Sequence, residues 1–316
     1  MSRPLTSPSI TPSITPSTTS HALTIYELDK KYRDKMVEVK FADDSISQSL
    51  VKKIFPPLNT RPSANILNAK LDVATSNAKL DVATSNAGHF RFTNVSIFSV
   101  TPVDQSVFTA ELLDYFYKPE QLSTKILTDV GAGVGGNVWS LAKKVKHINA
   151  IEMNQLQSEI LEQNMNILGI KNLTIHSANY IEVRYEISQD ILFADPPWGG
   201  LDYKNQQEYI TEYEFEGKKF PINQITKTTK AELVILKLPV NHSIKCFDGV
   251  KKHIYAFNLY SEKQKQGKKI IGPLYKIVIL SDFEALRLIP YDEISSKKIK
   301  KQIFPHFNFR SAKFLL

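Results

Sequence analysis

The chain has 316 residues, 42% of them hydrophobic, enough for one sizeable α/β core with additions at both ends. Its 40 Lys and Arg against 32 Asp and Glu give a net charge of +8, which favours a polyanionic partner without identifying one. The single cysteine, Cys246, excludes an intrachain disulfide and a cysteine-based zinc cluster, and no run approaches the roughly 18 apolar residues of a membrane span.

Residues 1–22 begin with Ser, Thr and Pro around a repeated SITP, a composition that buries too little apolar surface to offset its ordering entropy. A disordered tail is expected. It lacks the charged-then-apolar layout of a signal peptide, so an intracellular protein, nuclear or cytoplasmic, is the expectation. Residues 23–97 read as an N-terminal extension, weakly helical from Leu23 to Lys53 and then broken by Pro56-Pro57 and Arg61-Pro62. Within it Asn68–Ser76 (NAKLDVATS) repeats unchanged as Asn77–Ser85, too short a unit for a solenoid and best read as a duplication in a surface loop.

From residue 98 to 290 apolar runs alternate with amphipathic segments, the pattern of strand–helix–strand units on a parallel sheet. Lys125–Val130 is the first predicted strand, Asn137–Lys144 the first helix, Ile148–Glu152 the second strand and Leu156–Leu168 the second helix. Leu173–His176, Ile191–Ala194 and Leu233–Leu238 follow as strands three to five. His253–Tyr260 and Leu274–Leu280 flank the charged stretch Ser261–Lys269, which predicts an antiparallel hairpin closing the sheet. Residues 291–316 interleave Lys297, Lys298, Lys300, Lys301, Arg310 and Lys313 with four phenylalanines. That composition suits either a phosphate-backbone clamp or a solvated helix end with docked rings.

Two motifs carry chemistry. The first, Asp129-Val-Gly131-Ala-Gly133-Val-Gly135-Gly136-Asn137, follows a strand and opens a helix, the context of a glycine loop that lets backbone approach an adenosyl ligand. Glu152, about 20 residues beyond the loop and ending the second strand, suits the two ribose hydroxyls of NAD or of S-adenosylmethionine equally. The second motif, Asp195-Pro196-Pro197-Trp198, stands at the carboxyl end of a central strand, where open α/β sheets bind ligands.

An aromatic amino group is a poor nucleophile because its lone pair is delocalised into the ring. The Asp195 carboxylate and the Pro196 carbonyl offer two adjacent acceptors for its hydrogens, the prolines stiffen the turn, and Trp198 offers a face for a base. A cationic base would gain roughly 0.5–2 kcal/mol on that face. The two motifs together point to methyl transfer onto an exocyclic amino nitrogen.

The residues Pro196-Pro-Trp198-Gly199-Gly200-Leu-Asp202-Tyr203, Phe98-Ser-Val-Thr101-Pro102, Gly133-Val-Gly135-Gly136-Asn137 and Leu238-Pro239-x-Asn241 resemble the signatures of the trimethylguanosine synthases, the RNA cap guanine-N2 methyltransferases. The likeness covers about Phe98 to Leu280. It implies a class I, Rossmann-like S-adenosylmethionine-dependent methyltransferase whose mostly parallel sheet ends in an antiparallel hairpin.

By the same resemblance Trp198 stacks on 7-methylguanine while Asp195 and Pro196 hold its amino group, with Asn241 on the substrate side. The resemblance likewise implies that Phe98, Thr101, Asp129, Gly131, Gly133, Asn137, Glu152 and Asn179 surround the cofactor. Asp195 stands where the family usually has Ser, Ile97 where it has Trp, and Val240 where it has Arg. Capped RNA is the expected partner of a monomer. An amino methyltransferase of guanine or adenine in other RNA or DNA, and a non-catalytic cap- or RNA-binding module, stay open as alternatives.

Overall fold

Five apolar segments pair side by side in parallel at the centre of the computed structural model, which describes residues 39–41, 55, 90–93, 96–198, 202–265 and 268–286. The expected tails and the nonapeptide repeat lie outside the described residues. Val39–Phe41 (β1) pairs antiparallel with Arg91–Thr93 (β2), and two short helices, Ser96–Ser99 (α1) and Val103–Leu112 (α2), lead toward the sheet. After Pro119–Leu122 (α3) come Ile126–Val130 (β3), Val138–Leu141 (α4), His147–Ile151 (β4), Gln155–Ile167 (α5), Leu173–His176 (β5), Tyr180–Val183 (α6) and Ile191–Ala194 (β6). A two-stranded excursion, Glu212–Phe215 (β7) and Lys218–Pro221 (β8), precedes Ile222–Thr228 (α7), Leu233–Leu238 (β9), His253–Lys265 (β10) and Lys268–Ser281 (β11).

The seven-stranded sheet has the order β10-β11-β9-β6-β3-β4-β5, with β3, β4, β5, β6 and β9 parallel and the hairpin β10–β11 antiparallel. The expected Rossmann-like architecture is therefore present. Strands β6 and β9 are buried at every position because helices cover both faces, which is why they read as continuous apolar runs rather than alternations.

The period-2 alternation separates two cores: Leu127, Phe193, Ile235 and Ile277 join α2, α4 and α5 on one face. Val130, Leu192, Val234 and Val278 join α6 and α7 on the other. Phe55, Phe90 and Phe92 add a ring cluster to the first core. Asn164 of α5 docks the neighbouring strand there, accepting from Arg91 N at 2.9 Å and donating to Arg91 O at 3.0 Å.

Three expectations need correction. Within Leu23–Lys53, expected to be weakly helical, Val39–Phe41 is a strand held by its pairing with β2. The first helix does not run over Asn137–Lys144 but covers only Val138–Leu141, because the chain turns at Lys144, whose N–H donates to Leu141 O at 2.9 Å, to begin β4 at His147. The charged stretch Ser261–Lys269 is not a long turn: β10 and β11 stay paired out to Lys265↔Lys268. Among the described residues β9 pairs β11 only from Lys276 to Ser281, and beyond it β10 and β11 run on as a two-stranded ribbon. Helices α1, α2 and α3, the β1–β2 and β7–β8 pairs, α6 and α7 were not foreseen.

Candidate functional site

The pleat concentrates charge at the carboxyl ends of the strands. Asp129 on β3 and Lys237 on β9 share the parity of the first-core residues Leu127 and Ile235. Glu152 and Asp195 continue the same parity just beyond Ala150 and Phe193. Three carboxyl groups and one lysine thus meet on one face, in a setting of little solvent. The side chains of Lys237 and Asp195 are 7% and 15% exposed, and the carboxylate of Asp129 is wholly buried.

Lys237 Nζ donates to Asp195 Oδ2 at 2.6 Å and to Thr101 Oγ1 at 2.9 Å. Thr101, buried between α1 and α2, donates in turn to Asp195 Oδ2 at 3.3 Å and accepts from Asn137 Nδ2 at 3.0 Å. One network therefore joins the four segments bearing Thr101, Asn137, Asp195 and Lys237. Among the described residues Asp195 Oδ1 has no hydrogen-bond partner. Tyr275 on β11 presents its ring 5.1 Å from Lys237 Nζ, and burial holds its phenol well above the usual range.

The glycine loop is anchored to β4 rather than presenting all its N–H groups outward. Gly131 and Ala132 both donate to Ile151 O at 3.0 Å, and Gly133 N donates to Glu152 Oε2 at 2.9 Å. Asn154 N takes the other oxygen, Oε1, at 2.8 Å. Burial raises the Glu152 carboxyl above its ordinary range, and these two backbone bonds oppose the rise. Gly131 and Gly133 have φ of 78° and 55°, the left-handed region that favours glycine. A Cβ on Gly131 would stand 3.2 Å from Asp195 O, so the two motifs touch through backbone.

Asp129 is the most perturbed acid. Neither of its oxygens has a partner among the described residues. Its pKa is raised well above the carboxylate range, first by burial, then by the charge of Asp195 and by Glu152, with Lys237 opposing. The Oδ1 atom of Asn137 is likewise buried and unpartnered. Left-handed glycines beside orphaned buried acceptors are what an adenosyl ligand carrying hydroxyl and ammonium donors requires, so the residues present fit such a group.

Trp198 is half-buried against the first core, its Nε1 3.4 Å from Lys237 O, and the ring of Tyr203 meets it edge-on at 5.6 Å and 85°. Asn241 secures that segment by donating to Tyr203 O at 2.7 Å and Gln206 O at 2.9 Å. Pro196 is buried and Pro197 exposed. Asn179 caps α6, accepting from Ile181 N at 2.9 Å, and its amide donates to Glu214 O at 2.9 Å, so it also fixes β7. The side chain of Phe98, like Gly199 and Gly200, lies outside the described residues.

Sequence reasoning missed Lys237, Tyr275 and the role of Tyr203. Lys237 left a signal: it is the single polar residue of LVILKL, a strand otherwise wholly apolar.

The family model described as RNA cap guanine-N2 methyltransferase matches residues 124–283, half of the chain. An uncharacterized protein of Acanthamoeba polyphaga mimivirus is 34% identical over 133 residues, 41% of this chain and 52% of that protein, so the match spans about half the length of that relative.

Among solved structures, a T. thermophilus 16S rRNA N2 methyltransferase in complex with AdoMet and guanosine is 14% identical with a TM-score of 0.40, covering 58% of this chain and 44% of that one. A tRNA methyltransferase from Aquifex aeolicus is 14% identical with a TM-score of 0.38, covering 58% and 70%.

Proposed function

We propose a cap reaction for this chain, which belongs to the RNA cap guanine-N2 methyltransferase family: transfer of methyl from S-adenosylmethionine to N2 of a 7-methylguanosine RNA cap, giving the di- or trimethylguanosine form. The observation that carries the reading is the pairing at the end of β6 of a carboxylate with one uncommitted oxygen, Asp195 Oδ1, and a half-buried indole, Trp198, three residues on. S-adenosylmethionine, when bound, supplies an electrophilic methyl carbon: the N–C bond forms as the S–C bond breaks, its electrons stay on sulfur, and the nitrogen sheds one proton.

The chain's residues prepare the nitrogen for that attack. Asp195 Oδ1 and the Pro196 carbonyl accept the two amino hydrogens, returning lone-pair density to nitrogen and favouring a pyramidal geometry. The Asp195 carboxylate is also the acceptor at hand for the proton released. Trp198 stacks on the base, and a 7-methylated ring, being cationic, gains roughly 0.5–2 kcal/mol over a neutral one on that face. Tyr203 and Asn241 hold the indole from its edge and from behind its loop.

On the cofactor side Gly131, Gly133 and Asn137 belong to the glycine loop and Thr101 bonds Asn137, while Phe98 and Asn179 are assigned to the cofactor on the family likeness alone. Glu152 has a lone pair left on each oxygen for ribose hydroxyls, and buried Asp129 for an N–H or O–H donor.

The test is methyl transfer to matched cap analogues with and without the 7-methyl group. Transfer to the 7-methylated analogue alone is expected. Transfer to adenine or guanine in other RNA or DNA, with none to caps, would overturn the cap assignment and leave an amino methyltransferase of different substrate.

A further inference from the structure

A lysine in the middle of the sheet is costly to bury, and it persists there only when its charge is met. Lys237 is met by Asp195, the residue assigned above to the reacting amino group, at 2.6 Å, and by Thr101 at 2.9 Å. Its own backbone carbonyl receives the indole N–H of Trp198 at 3.4 Å. One residue on β9 therefore touches both the acceptor and the stacking platform. Asp129 on β3, Tyr213 on β7 and Tyr275 on β11, all acids or phenols, interact with Asp195 from the packed elements. Among the described residues Lys237 is the cation paired with it.

We infer that Lys237 is a positioning residue of the methyl transfer, holding Asp195 with Oδ2 fixed on Lys237 and Thr101 and Oδ1 left for the substrate amino group. An Asp195 free to rotate would turn that oxygen away from the substrate nitrogen. Because Thr101 also receives the Asn137 amide, the same clamp ties the orientation of Asp195 to the end of the glycine loop. The inference rests on the reading of Asp195 as the amino-group acceptor.

The experiment compares Lys237→Met and Lys237→Arg with wild type, measuring kcat and KM on the cap or other amino-bearing substrate that wild type methylates, together with S-adenosylmethionine affinity. Lys237→Met should lose about 30- to 100-fold in kcat, while KM and cofactor affinity stay within about threefold. Lys237→Arg should stay within about fivefold of wild type, since charge and hydrogen bonds are kept.

A Met variant with wild-type kcat, or an Arg variant as inactive as Met while still binding cofactor, overturns the inference and leaves the proposed function standing. Wild type that methylates no cap, RNA or DNA overturns both. Should Lys237→Met not fold, Lys237→Gln, uncharged but still a donor, carries the same comparison.

Discussion

Gly136 and Thr101 approach so closely that a Cβ on the glycine would stand 2.9 Å from Thr101 N and 3.1 Å from Thr101 O. The contact explains why a glycine pair must precede Asn137. The loop is pressed against the segment that delivers Thr101 to Asp195, and only a residue without a side chain leaves that backbone in place. Gly135, at φ 99° and with a notional Cβ 2.4 Å from Met165 Cε, serves the same closeness toward α5.

Replacing Gly136 with valine should therefore separate the loop from Thr101. The expected result is a loss of about 1–3 kcal/mol of stability and weakened S-adenosylmethionine binding, read by chemical denaturation and by calorimetric titration. Unchanged values for both would show that the segment at Thr101 yields freely.

Asp195→Ala and Asp195→Asn should differ in a way that exposes the buried pair. Both abolish turnover, but the alanine strands the Lys237 ammonium, a change that costs about 3–5 kcal/mol, whereas asparagine retains an oxygen for it. Denaturant midpoints check the difference. Equal stabilities for the two variants would show that water or a shifted Lys237 relieves the charge.

Trp198→Ala should raise KM for the 7-methylated substrate by about 2- to 30-fold while leaving cofactor affinity unchanged, and Trp198→Phe should fall between. Asn241→Ala, which frees the segment at Tyr203 and Gln206, should produce a smaller effect of the same kind. Competition assays with 7-methylguanosine and guanosine measure both. A selectivity for the methylated base that survives the loss of Trp198 would place its origin elsewhere.

Asp129 gives a pH signature. Its folded-state pKa lies above the unfolded value because the folded protein buries it, so the folded state holds the extra proton and stability falls as pH rises from the unfolded value toward the folded one. Asp129→Asn removes that loss. Without cofactor, the variant should gain melting temperature over wild type on going from mildly acid to neutral pH, while its cofactor affinity drops. A difference between the two proteins that is constant with pH would contradict the assignment.

Much of this arrangement is legible in the order of residues, for reasons that also mark its limits. Leu173–His176, Ile191–Ala194 and Leu233–Leu238 form strands at their expected bounds because each is a short β-rich run between breakers. The glycine loop and the turn at Asp195 are local motifs, and their meeting follows from β3 lying beside β6.

Lys237 escaped notice because a charged residue in a strand ordinarily signals an exposed edge. Its partner lies 42 residues away, across the β6–β9 ladder. Counting the pleat from Ile235 gives the face of Lys237, and counting from Phe193 gives that of Asp195. The β7–β8 pair hid for another reason: Glu212–Phe215 and Lys218–Pro221 have only weak apolar alternation, and Asn179 helps dock them through a backbone bond that no side-chain pattern announces.

The most direct test of the central claim is the position of the methyl group on the product. Wild-type protein, S-adenosylmethionine and a 7-methylguanosine cap dinucleotide are incubated together, the product is digested, and the modified nucleoside is identified by fragmentation mass spectrometry. The account predicts one or two added methyl groups, all on N2 of the 7-methylguanine. A methyl on a ribose, on a ring nitrogen or on the second nucleotide, with N2 unmodified, would contradict it.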